Sequence, residues 1–330
     1  MDLKALITTT AHSVPKKIMT NFDLEKLVDT SDEWIKSRTG IKKRHVVSPG
    51  EATSDISTQI AKSLLKKRGI SSKEIDLIIV GTITPDHFTP STAALVQKNI
   101  EASNAWGFDL SAACSGFLFG LETGSNFIKS GKYKKIMVIG IDIMTSILDY
   151  KDRDTCVIFG DGGGGVILEP CNKDYGIIDS LLHMDGNGGK YLNIPSGGSR
   201  SPSSIESVKN KEHFVKQDGK TVYKYAVKGM ADVSKRLLEN NFISGDDIKL
   251  FIPHQANKRI IDAAANRCKI KPDRVMINIH DYGNTTAGTI PIALNEASEK
   301  KMIADGDLIL MSSFGAGFTW GSLLLRWKTL

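Results

Sequence analysis

The sequence has few of the features that mark secreted, membrane-spanning or zinc-binding proteins. It contains only four cysteines, Cys114, Cys156, Cys171 and Cys268, without a C-x-x-C pair or a histidine at zinc-finger spacing. Neither a disulfide framework nor a metal site is therefore expected. No stretch approaches 18 consecutive apolar residues, which excludes an ordinary membrane span. Residues 1–11 lack the basic start and cleavage site of a signal peptide, so we expect a cytoplasmic protein.

The charge of the chain is moderate and is scattered along the sequence. The formal net charge is +6, and the lysines and arginines do not form a basic stripe with interleaved aromatic residues. A solvated surface is the simplest explanation, and attraction to an acidic partner is the alternative. Nucleic acid is not expected as a partner, because no nucleic-acid-binding motif is present.

Apolar β-branched runs alternate with segments of helical period, which is typical of an α/β fold with buried strands. The predicted strands of the first half are 75–82, 106–110, 136–141 and 157–159, and its predicted helices are 54–68, 91–100 and 115–130. In the second half we predict strands at 248–253, 275–279 and 308–312, and helices at 258–267 and 286–300.

The chain resembles a duplicated unit. The sequence "SSKEIDLIIVGT" (71–82) matches "SGDDIKLFIPHQ" (244–255), and "FGDGGGGVIL" (159–168) matches "FGAGFTWGSLLL" (314–325). Such repetition indicates two similar units that pack together, here residues 1–172 and 173–330. Overlaying the units gives Cys114 and Asn284 comparable positions. The Gly-, Ser- and Pro-rich segment 185–220 lacks periodicity and is predicted to be a surface excursion between the halves.

Cys114 lies in "DLSAACSGF" (109–117), between a predicted strand and a predicted helix. A helix N-terminus stabilises negative charge and can lower the pKa of a thiol, which would make Cys114 a nucleophile. An isolated cysteine is more often an inert buried residue. The neighbouring motifs decide between these two interpretations.

Two further motifs supply polar groups at the ends of predicted strands. His254 lies in "PHQAN" (253–257), and Asn284 lies in the Gly-flanked turn "YGNTTAG" (282–288). A thiolate, an imidazole and an amide suit acyl transfer through a thioester, with condensation or hydrolysis both open. The glycines of "FGAGF" (314–318) would let a backbone N–H approach the thioester carbonyl. The run "FGDGGGGVIL" is followed by a strand-like segment and so fails the test for a nucleotide-binding loop.

These residues resemble the β-ketoacyl-ACP synthase III family of the thiolase superfamily. The resemblance covers almost the whole chain, in the same order and spacing. It rests on "SDEWIKSRTGI" (31–41), "ACSGF" (113–117), "DRDTCVIFGDGGG" (152–164), "PHQANKRI" (253–260), "YGNTTAGTIP" (282–291) and "FGAGFTWGSLLLRW" (314–327).

The resemblance implies an α/β thiolase-like fold of two similar halves in five layers, α/β/α/β/α, assembled as a homodimer. Cys114 would take an acyl group from acyl-CoA, and His254 with Asn284 would stabilise the enolate formed from malonyl-ACP by decarboxylation. The Gly315–Ala316–Gly317 loop would contribute to the oxyanion hole, with Ala316 a modest departure from the family. No metal and no cofactor is implied, since acyl-CoA is a substrate.

The resemblance also assigns binding residues. The CoA adenine would stack between Trp34 and Arg153, with Arg38 near the phosphates. Acidic acyl carrier protein would dock on basic residues at the mouth of the tunnel; the aligned positions here are Lys224, Arg259 and Arg267. At the end of the acyl pocket the partner subunit would contribute Thr89, where many relatives have Phe. A smaller side chain predicts a branched or medium-length primer rather than acetyl.

Three alternatives stay open at this point. A starter-unit ketosynthase of polyketide or signal-molecule synthesis would carry the same three residues. A cysteine thioester hydrolase fits the bare triad, although the sequence around Cys114 differs from that of papain-like enzymes. A non-catalytic acyl-CoA or carrier-binding protein would leave Cys114 merely buried.

Overall fold

The chain folds into alternating strands and helices; this computed structural model describes residues 3–171 and 174–328. The strands are β1 (Lys4–Ser13), β2 (Lys17–Thr20), β3 (Lys43–Val46), β4 (Leu77–Gly81), β5 (Trp106–Leu110), β6 (Ile136–Ile143), β7 (Asp161–Cys171), β8 (Gly176–Met184), β9 (Leu192–Asn193), β10 (Lys216–Gln217), β11 (Ile248–Pro253), β12 (Leu308–Gly315) and β13 (Thr319–Arg326). The α-helices are α1 (Asn21–Leu24), α2 (Asp32–Thr39), α3 (Thr53–Arg68), α4 (Thr92–Asn99), α5 (Gly116–Lys129), α6 (Arg153–Cys156), α7 (Ile205–Lys209), α8 (Gly219–Asn240), α9 (Lys258–Arg267), α10 (Ile279–Tyr282) and α11 (Thr289–Glu299).

Two larger sheets organise the fold. The first has the strand order β1-β7-β6-β4-β5, and the second has the order β11-β12-β13-β8. Strand β4 is parallel to both β5 and β6, and β11 is parallel to β12, while the remaining pairs in these two sheets are antiparallel. Because parallel strands end at the same edge, the segments that follow β4, β5 and β6 lie close together.

Helices lie outside and between the two sheets, which gives five layers. Helices α3 and α4 pack on the outer face of the first sheet, and α8 packs on the outer face of the second sheet together with α9. Helices α5 and α11 fill the central layer, in a core that joins residues such as Ile79, Leu121, Leu294 and Met311. Helix α5 is largely apolar because it packs between the two sheets, and its exposed polar residues Asn126 and Lys129 lie towards its C-terminal end. This arrangement confirms the predicted five-layered α/β fold.

The predicted boundary between the halves, 172/173, lies outside the described residues. All strands of the first sheet precede it, and all strands of the second sheet follow it. Helix α11 nevertheless packs on β1 and β7 of the first sheet. The two predicted halves therefore share a central layer, and their treatment as separate units stays a prediction.

Most predicted elements are confirmed, including the strands at 106–110 and 248–253 and the helix at 258–267. Two predicted strands are wrong. Residues 157–159 follow the short helix α6, and their apolar side chains pack into small clusters instead of a sheet. In 275–279 only Val275 forms a bridge, to Phe251, and α10 begins at Ile279.

The glycine run 162–165 is itself part of β7, in accord with its exclusion as a nucleotide-binding loop. Its glycines permit close packing of backbone on both sides. A side-chain carbon at Gly163 would lie 2.6 Å from the Gly140 carbonyl oxygen, and one at Gly164 would lie 2.9 Å from the Pro291 carbonyl carbon in α11. A larger residue at Gly163 would disturb the pairing of β7 with β6, and one at Gly164 would push the sheet away from α11.

Candidate active site

Cys114 lies in a tight turn between β5 and α5. Residues 113–115 form a 3₁₀ turn, and Ala113 adopts a left-handed conformation with φ 48°. The Cys114 carbonyl accepts a hydrogen bond from the Ser313 hydroxyl at 2.8 Å. Gly315 fits directly against Cys114, because a side-chain carbon at Gly315 would lie 2.6 Å from the Cys114 amide nitrogen. Strand β12 therefore holds the turn in place from the other half of the chain.

Two influences on the Cys114 thiol oppose each other. Helix α5 begins at Gly116, and its N-terminus favours a negative charge nearby. Burial raises the pKa of the Cys114 thiol, the carboxylate of Asp142 raises this pKa further, and a backbone hydrogen bond lowers it. The net pKa lies above the ordinary thiol value, so the predicted lowering is wrong. Desolvation is the largest cause of the raised pKa of Cys114, and it favours the neutral thiol.

His254 follows β11 and is buried. Its backbone N–H donates to the Ser312 carbonyl at 2.7 Å, and its ring Nδ1 lies 2.7 Å from the Thr289 hydroxyl oxygen. Burial lowers the pKa of the imidazole to about 3. The ring is therefore neutral at physiological pH, with Nε2 available for a further hydrogen bond.

Asn284 is held by its backbone and by one side-chain hydrogen bond. Its N–H donates to the Ile158 carbonyl at 3.0 Å, and its carbonyl accepts from the Gly160 N–H at 3.1 Å. The side-chain Oδ1 accepts from the Thr286 N–H at 2.8 Å. With Oδ1 engaged in this way, the Nδ2 group is the part of the amide that can donate to a ligand.

The two halves do not superimpose in the expected way, which placed Asn284 at the position equivalent to Cys114. Residues 286–288 form a 3₁₀ turn before α11 in which Thr286 has φ 49°, which matches Ala113 before α5. Ala287 therefore occupies the position equivalent to Cys114, and Asn284 precedes that turn. The displacement arises because the strand expected before Asn284 is not formed.

One cavity brings the three predicted catalytic residues together. Cys114, His254 and Asn284 all line a cavity of about 690 Å³, which we call the outer cavity. Cys114 also lines a second, largely apolar cavity of about 330 Å³, which we call the inner cavity. Ala316 and Gly317 of the predicted oxyanion loop line the inner cavity, while Gly315 lines the outer one. The thiol thus lies between two spaces, each of which can hold one part of a thioester.

The three residues predicted to bind CoA lie close together. Trp34 and Arg38 line the outer cavity. The Arg153 guanidinium carbon lies 4.3 Å from the centre of the Trp34 ring, which is a cation–π contact. Asn257 donates through its side chain to the Arg38 carbonyl at 3.0 Å, which ties α2 to the start of α9.

The predicted carrier-docking residues lie on the two helices that cover the second sheet. Lys224 is exposed on α8, and Arg259 lines the outer cavity from α9, 5.2 Å from the Tyr223 ring. Arg267 is also exposed but forms an ion pair with Asp232 at 3.4 Å. Sequence reasoning missed Lys220 and Lys228, both exposed on α8. Each lies four residues from Lys224 in "KTVYKYAVK" (220–228). This spacing could have indicated them, because residues four apart lie on the same face of a helix.

Thr89 is exposed on the loop between β4 and α4, beside Phe88, which is 91% exposed. In the described part of this single chain, Thr89 lines neither the outer nor the inner cavity. Its predicted role needs a second subunit and stays a prediction.

The segment 185–220 is more ordered than expected. It contains β9, α7 and β10, and β9 pairs with β10. Leu192, Ile194 and Val215 of this segment line the inner cavity. Sequence reasoning missed these residues because a segment of turns and very short strands carries no periodic signal.

Neither a metal cluster nor a membrane span is found in the part of the chain that the structure describes. Over residues 3–171 and 174–328, no group of three or more His, Cys, Asp and Glu side chains could hold a metal ion. Within the same ranges, no helix has both the length and the apolar character needed to cross a membrane. That the reaction needs no cofactor stays a prediction.

Comparison with known proteins gives a consistent result. Residues 108–186 match the family described as 3-oxoacyl-[acyl-carrier-protein (ACP)] synthase III, and residues 238–327 match its C-terminal model. A β-ketoacyl-[acyl-carrier-protein] synthase III of Chlorobaculum tepidum is 55% identical over 329 residues, covering 99% of this chain and 100% of the relative.

Solved structures agree with the sequence relatives. The 3-oxoacyl-[acyl-carrier-protein] synthase III of Aquifex aeolicus VF5 has a TM-score of 0.90 and 41% identity, covering 98% of this chain and 100% of that one. The priming β-ketosynthase of the R1128 polyketide biosynthetic pathway has a TM-score of 0.91 and 29% identity, covering 99% of this chain and 97% of that one.

The five-layered fold, with a cysteine, a histidine and an asparagine in one cavity, defines a thiolase-like condensing enzyme of the acyltransferase class. The similarity to full-length relatives shows the family within that class. The chain belongs to the β-ketoacyl-ACP synthase III family.

The low pKa of His254 predicts a specific contribution to acid sensitivity. Between pH 6.5 and about 3 the unfolded chain binds a proton at this position that the folded chain does not. Stability therefore falls as the pH drops below 6.5. At pH 5, linkage predicts that wild type loses ~2 kcal/mol more than His254→Gln, relative to pH 7.5.

Urea unfolding of both proteins at the two pH values measures this difference. His12 and His45, whose pKa values burial also lowers, are unchanged in the variant and contribute equally to both curves. Parallel losses in wild type and variant would mean that the folded protein accepts the proton on His254.

Proposed function

We propose that this chain initiates fatty acid synthesis by joining an acyl group from acyl-CoA to malonyl-ACP. Cys114 carries the acyl group as a thioester, and a decarboxylative Claisen condensation then gives β-ketoacyl-ACP. The observation that carries the proposal is that Cys114, His254 and Asn284, from distant parts of the sequence, line the same cavity. The printed name of the full-length relatives, β-ketoacyl-[acyl-carrier-protein] synthase III, gives the same product.

The first half-reaction loads Cys114. Its sulfur attacks the thioester carbonyl of acyl-CoA, the bond to the CoA sulfur breaks, and the thiol proton leaves with CoA. The backbone N–H groups of Cys114 and Ala316 stabilise the negative charge on the carbonyl oxygen. The contact between Gly315 and Cys114 supports this role, because it brings the loop next to the nucleophile without an intervening side chain.

The second half-reaction uses His254 and Asn284 as neutral donors. The Thr289 hydroxyl oxygen lies 2.7 Å from Nδ1 of His254 and 3.1 Å from the Thr286 carbonyl oxygen, which also accepts from the Thr289 backbone N–H. In this proposal the hydroxyl gives its single proton to Nδ1 of His254. Nε2 then carries the ring proton and, with the Asn284 amide, binds the enolate oxygen that forms as malonyl-ACP loses carbon dioxide. The enolate carbon attacks the acyl carbonyl, and the bond to the Cys114 sulfur breaks.

Trp34, Arg153 and Arg38 bind CoA in this proposal. The 4.3 Å contact between Arg153 and Trp34 leaves no space for an aromatic ring between them. Arg153 therefore moves outward when the adenine stacks on Trp34, and its charge then lies over the base. Arg38, exposed at the same edge of the outer cavity, interacts with the phosphates.

Acyl carrier protein docks beside the outer cavity on a basic surface formed by Lys220, Lys224, Lys228 and Arg259. The three lysines share one face of α8, and all four side chains are exposed. An acidic carrier protein is attracted to such a surface and is oriented by it. Arg267 contributes less, because its ion pair with Asp232 offsets part of its charge.

In the proposed homodimer, a second copy of the chain covers the edge of the first sheet. Strand β5 is the terminal strand, and Trp106 on it is 44% exposed. Trp106 belongs to an aromatic group with Phe108, Phe127 and Tyr133. A terminal strand that carries an exposed tryptophan favours association, and a second copy of the chain offers the same surface about a twofold axis.

Primer choice depends on the inner cavity. A volume of about 330 Å³ lined by Ile83, Met144, Leu192 and Val215 has room for more than an acetyl group. Thr89 from the second subunit would fill less of this space than Phe. We therefore retain a branched or medium-length primer as the expected substrate.

Incubation with several acyl-CoAs and malonyl-ACP tests the main proposal. We expect β-ketoacyl-ACP, free CoA and an acyl group on the peptide that contains Cys114, all identified by mass spectrometry. Cys114→Ala abolishes the acyl-enzyme. His254→Ala and Asn284→Ala slow condensation by ~10²-fold or more, because each removes one donor to the enolate, and spare acylation more.

Cys171→Ala is the matched control, since Cys171 lies at the end of β7 and lines neither cavity in the described residues. Release of free acid without β-ketoacyl product would identify a hydrolase. Efficient condensation only with an unusual primer or carrier would identify the specialised ketosynthase.

Charge reversal tests the docking surface. Lys224→Glu raises the KM for malonyl-ACP by about three- to tenfold at low salt, since a rim charge acts mainly on association, and leaves the KM for acyl-CoA unchanged. Lys62→Glu on α3 makes the same change of charge on a helix that lines neither cavity. Equal effects of the two variants would show that only net charge matters.

The primer preference is tested with acetyl-CoA and isobutyryl-CoA. Wild type uses isobutyryl-CoA at least as well, as judged by kcat/KM. Thr89→Phe lowers kcat/KM for isobutyryl-CoA by about tenfold relative to acetyl-CoA, because overpacking costs about 1–3 kcal/mol. Thr89→Ser, which keeps a small side chain, serves as control. A strong acetyl preference in wild type would contradict the prediction.

A further inference from the structure

A buried carboxyl group that has no part in the proposed chemistry lies beneath the active site. Asp142 belongs to β6 and is 0% exposed. Its Oδ1 accepts hydrogen bonds from the Thr82 hydroxyl at 2.9 Å, the Ile83 N–H at 2.7 Å and the Thr84 hydroxyl at 3.1 Å. Asp142 is thereby fixed to the segment that follows β4.

The other carboxyl oxygen reaches across to the second half of the chain. Oδ2 accepts a short hydrogen bond from the Thr286 hydroxyl, and it also accepts from the Ala287 N–H at 3.3 Å. A single side chain thus joins the end of β4 to the turn that precedes α11. Every hydrogen bond to a carboxyl group buried this deeply is costly to lose.

Thr286 has a backbone conformation that is unfavourable for its residue type. Its φ is 49°, in the left-handed region that β-branched residues avoid. Such a conformation is strained and persists only where the surroundings enforce it. The hydrogen bond from its hydroxyl to Asp142 is the side-chain contact of Thr286 that can enforce this conformation.

Both proposed donors of the second half-reaction depend on the backbone of Thr286. Its N–H donates to Oδ1 of Asn284 at 2.8 Å, which turns the Asn284 amide so that Nδ2 is free. Its carbonyl accepts from the Thr289 N–H, and the Thr289 hydroxyl in turn contacts Nδ1 of His254 at 2.7 Å. A rotation of the Thr286 peptide groups would therefore disturb both side chains together.

We propose that the Asp142–Thr286 pair is a positioning clamp that holds Thr286 in its left-handed conformation and thereby orients Asn284 and His254 for the condensation step. This inference rests on the proposed function for its kinetic consequence. Neither residue reacts with substrate. Thr286 also lines the inner cavity, but its role in the clamp is exerted through the two donors. The Cys114 turn keeps its separate contacts with Ser313 and Gly315, so acylation depends less on the clamp.

The test measures the two half-reactions separately in the full-length protein. Acyl-enzyme formation is followed by mass spectrometry, and condensation is started by adding malonyl-ACP to preformed acyl-enzyme. Thr286→Ala and Asp142→Asn each slow condensation by ~10²-fold, the cost of misplacing catalytic groups by about 1 Å, and change acylation by less than about threefold. Thr286→Ser keeps the hydroxyl and restores most of the condensation rate.

Thr285→Ala is the matched control. Thr285 is adjacent and 0% exposed, and its hydroxyl has no hydrogen-bond partner among the residues that the structure describes. Removing this hydroxyl leaves the ratio of the two rates at the wild-type value. Loss of both half-reactions to the same extent in Thr286→Ala, or condensation at the wild-type rate, overturns the clamp.

Asp142 also raises the pKa of Cys114, and this charge effect is separable from positioning. Thr286→Ala keeps the Asp142 carboxyl group, whereas Asp142→Asn replaces it with a neutral amide. Slower condensation in Asp142→Asn alone would assign the effect to charge and overturn the clamp. If Asp142→Asn does not fold, the comparison of Thr286→Ala with Thr286→Ser decides the matter.

A spectroscopic readout does not require turnover. In ¹⁵N-histidine-labelled protein, assigned with His254→Gln, the His254 ring nitrogens of wild type show a single neutral tautomer. Thr286→Ala shifts or broadens these signals, and Thr285→Ala does not. Unchanged signals in Thr286→Ala overturn the clamp. If wild type gives no β-ketoacyl product, the proposed function fails while this readout still tests the clamp.

Discussion

The close approach of two tight turns, one before α5 and one before α11, is the constraint on which the rest of the active site depends. Each turn contains a non-glycine residue with a left-handed backbone, Ala113 in one and Thr286 in the other. The turns meet between the two sheets, where a side-chain carbon at Gly116 would lie 3.4 Å from the Ala287 Cβ. Close packing of this kind places Cys114, His254 and Asn284 on rigid segments.

Much of this arrangement follows from the sequence. Long apolar runs specify β6 and β11, and the αL glycine Gly69 ends α3 where the helical pattern stops. His254 was predictable because it follows a well-marked strand. Residues 157–159 and 275–279 were wrongly predicted as strands. A short, mainly apolar segment can pack beneath a sheet without pairing with it, and the pattern alone does not distinguish such a segment from a strand.

The features that escaped prediction arise from tertiary contacts. The direction of the Cys114 pKa shift depends on how much water the completed fold excludes, and the sequence around Cys114 shows only the helix end. The lining of the inner cavity by Leu192 and Val215 depends on how 185–220 folds back. Asp142 lies in "IGIDI" (139–143), which matches no motif. Its hydrogen-bond partners lie far away in the sequence, at positions 82–84 and 286–287, so the sequence does not indicate its role.

In the proposed CoA site, the Trp34–Arg153 contact competes with the nucleotide for the face of the indole ring. Before CoA enters, the guanidinium already occupies the face of the indole ring, and a stacked pair of this kind is worth ~0.5–1 kcal/mol at an exposed site. Binding the nucleotide must first break that pair, and re-forming it assists departure. In the proposed reaction, CoA must leave before malonyl-ACP enters the same cavity. Weaker binding of CoA therefore favours turnover.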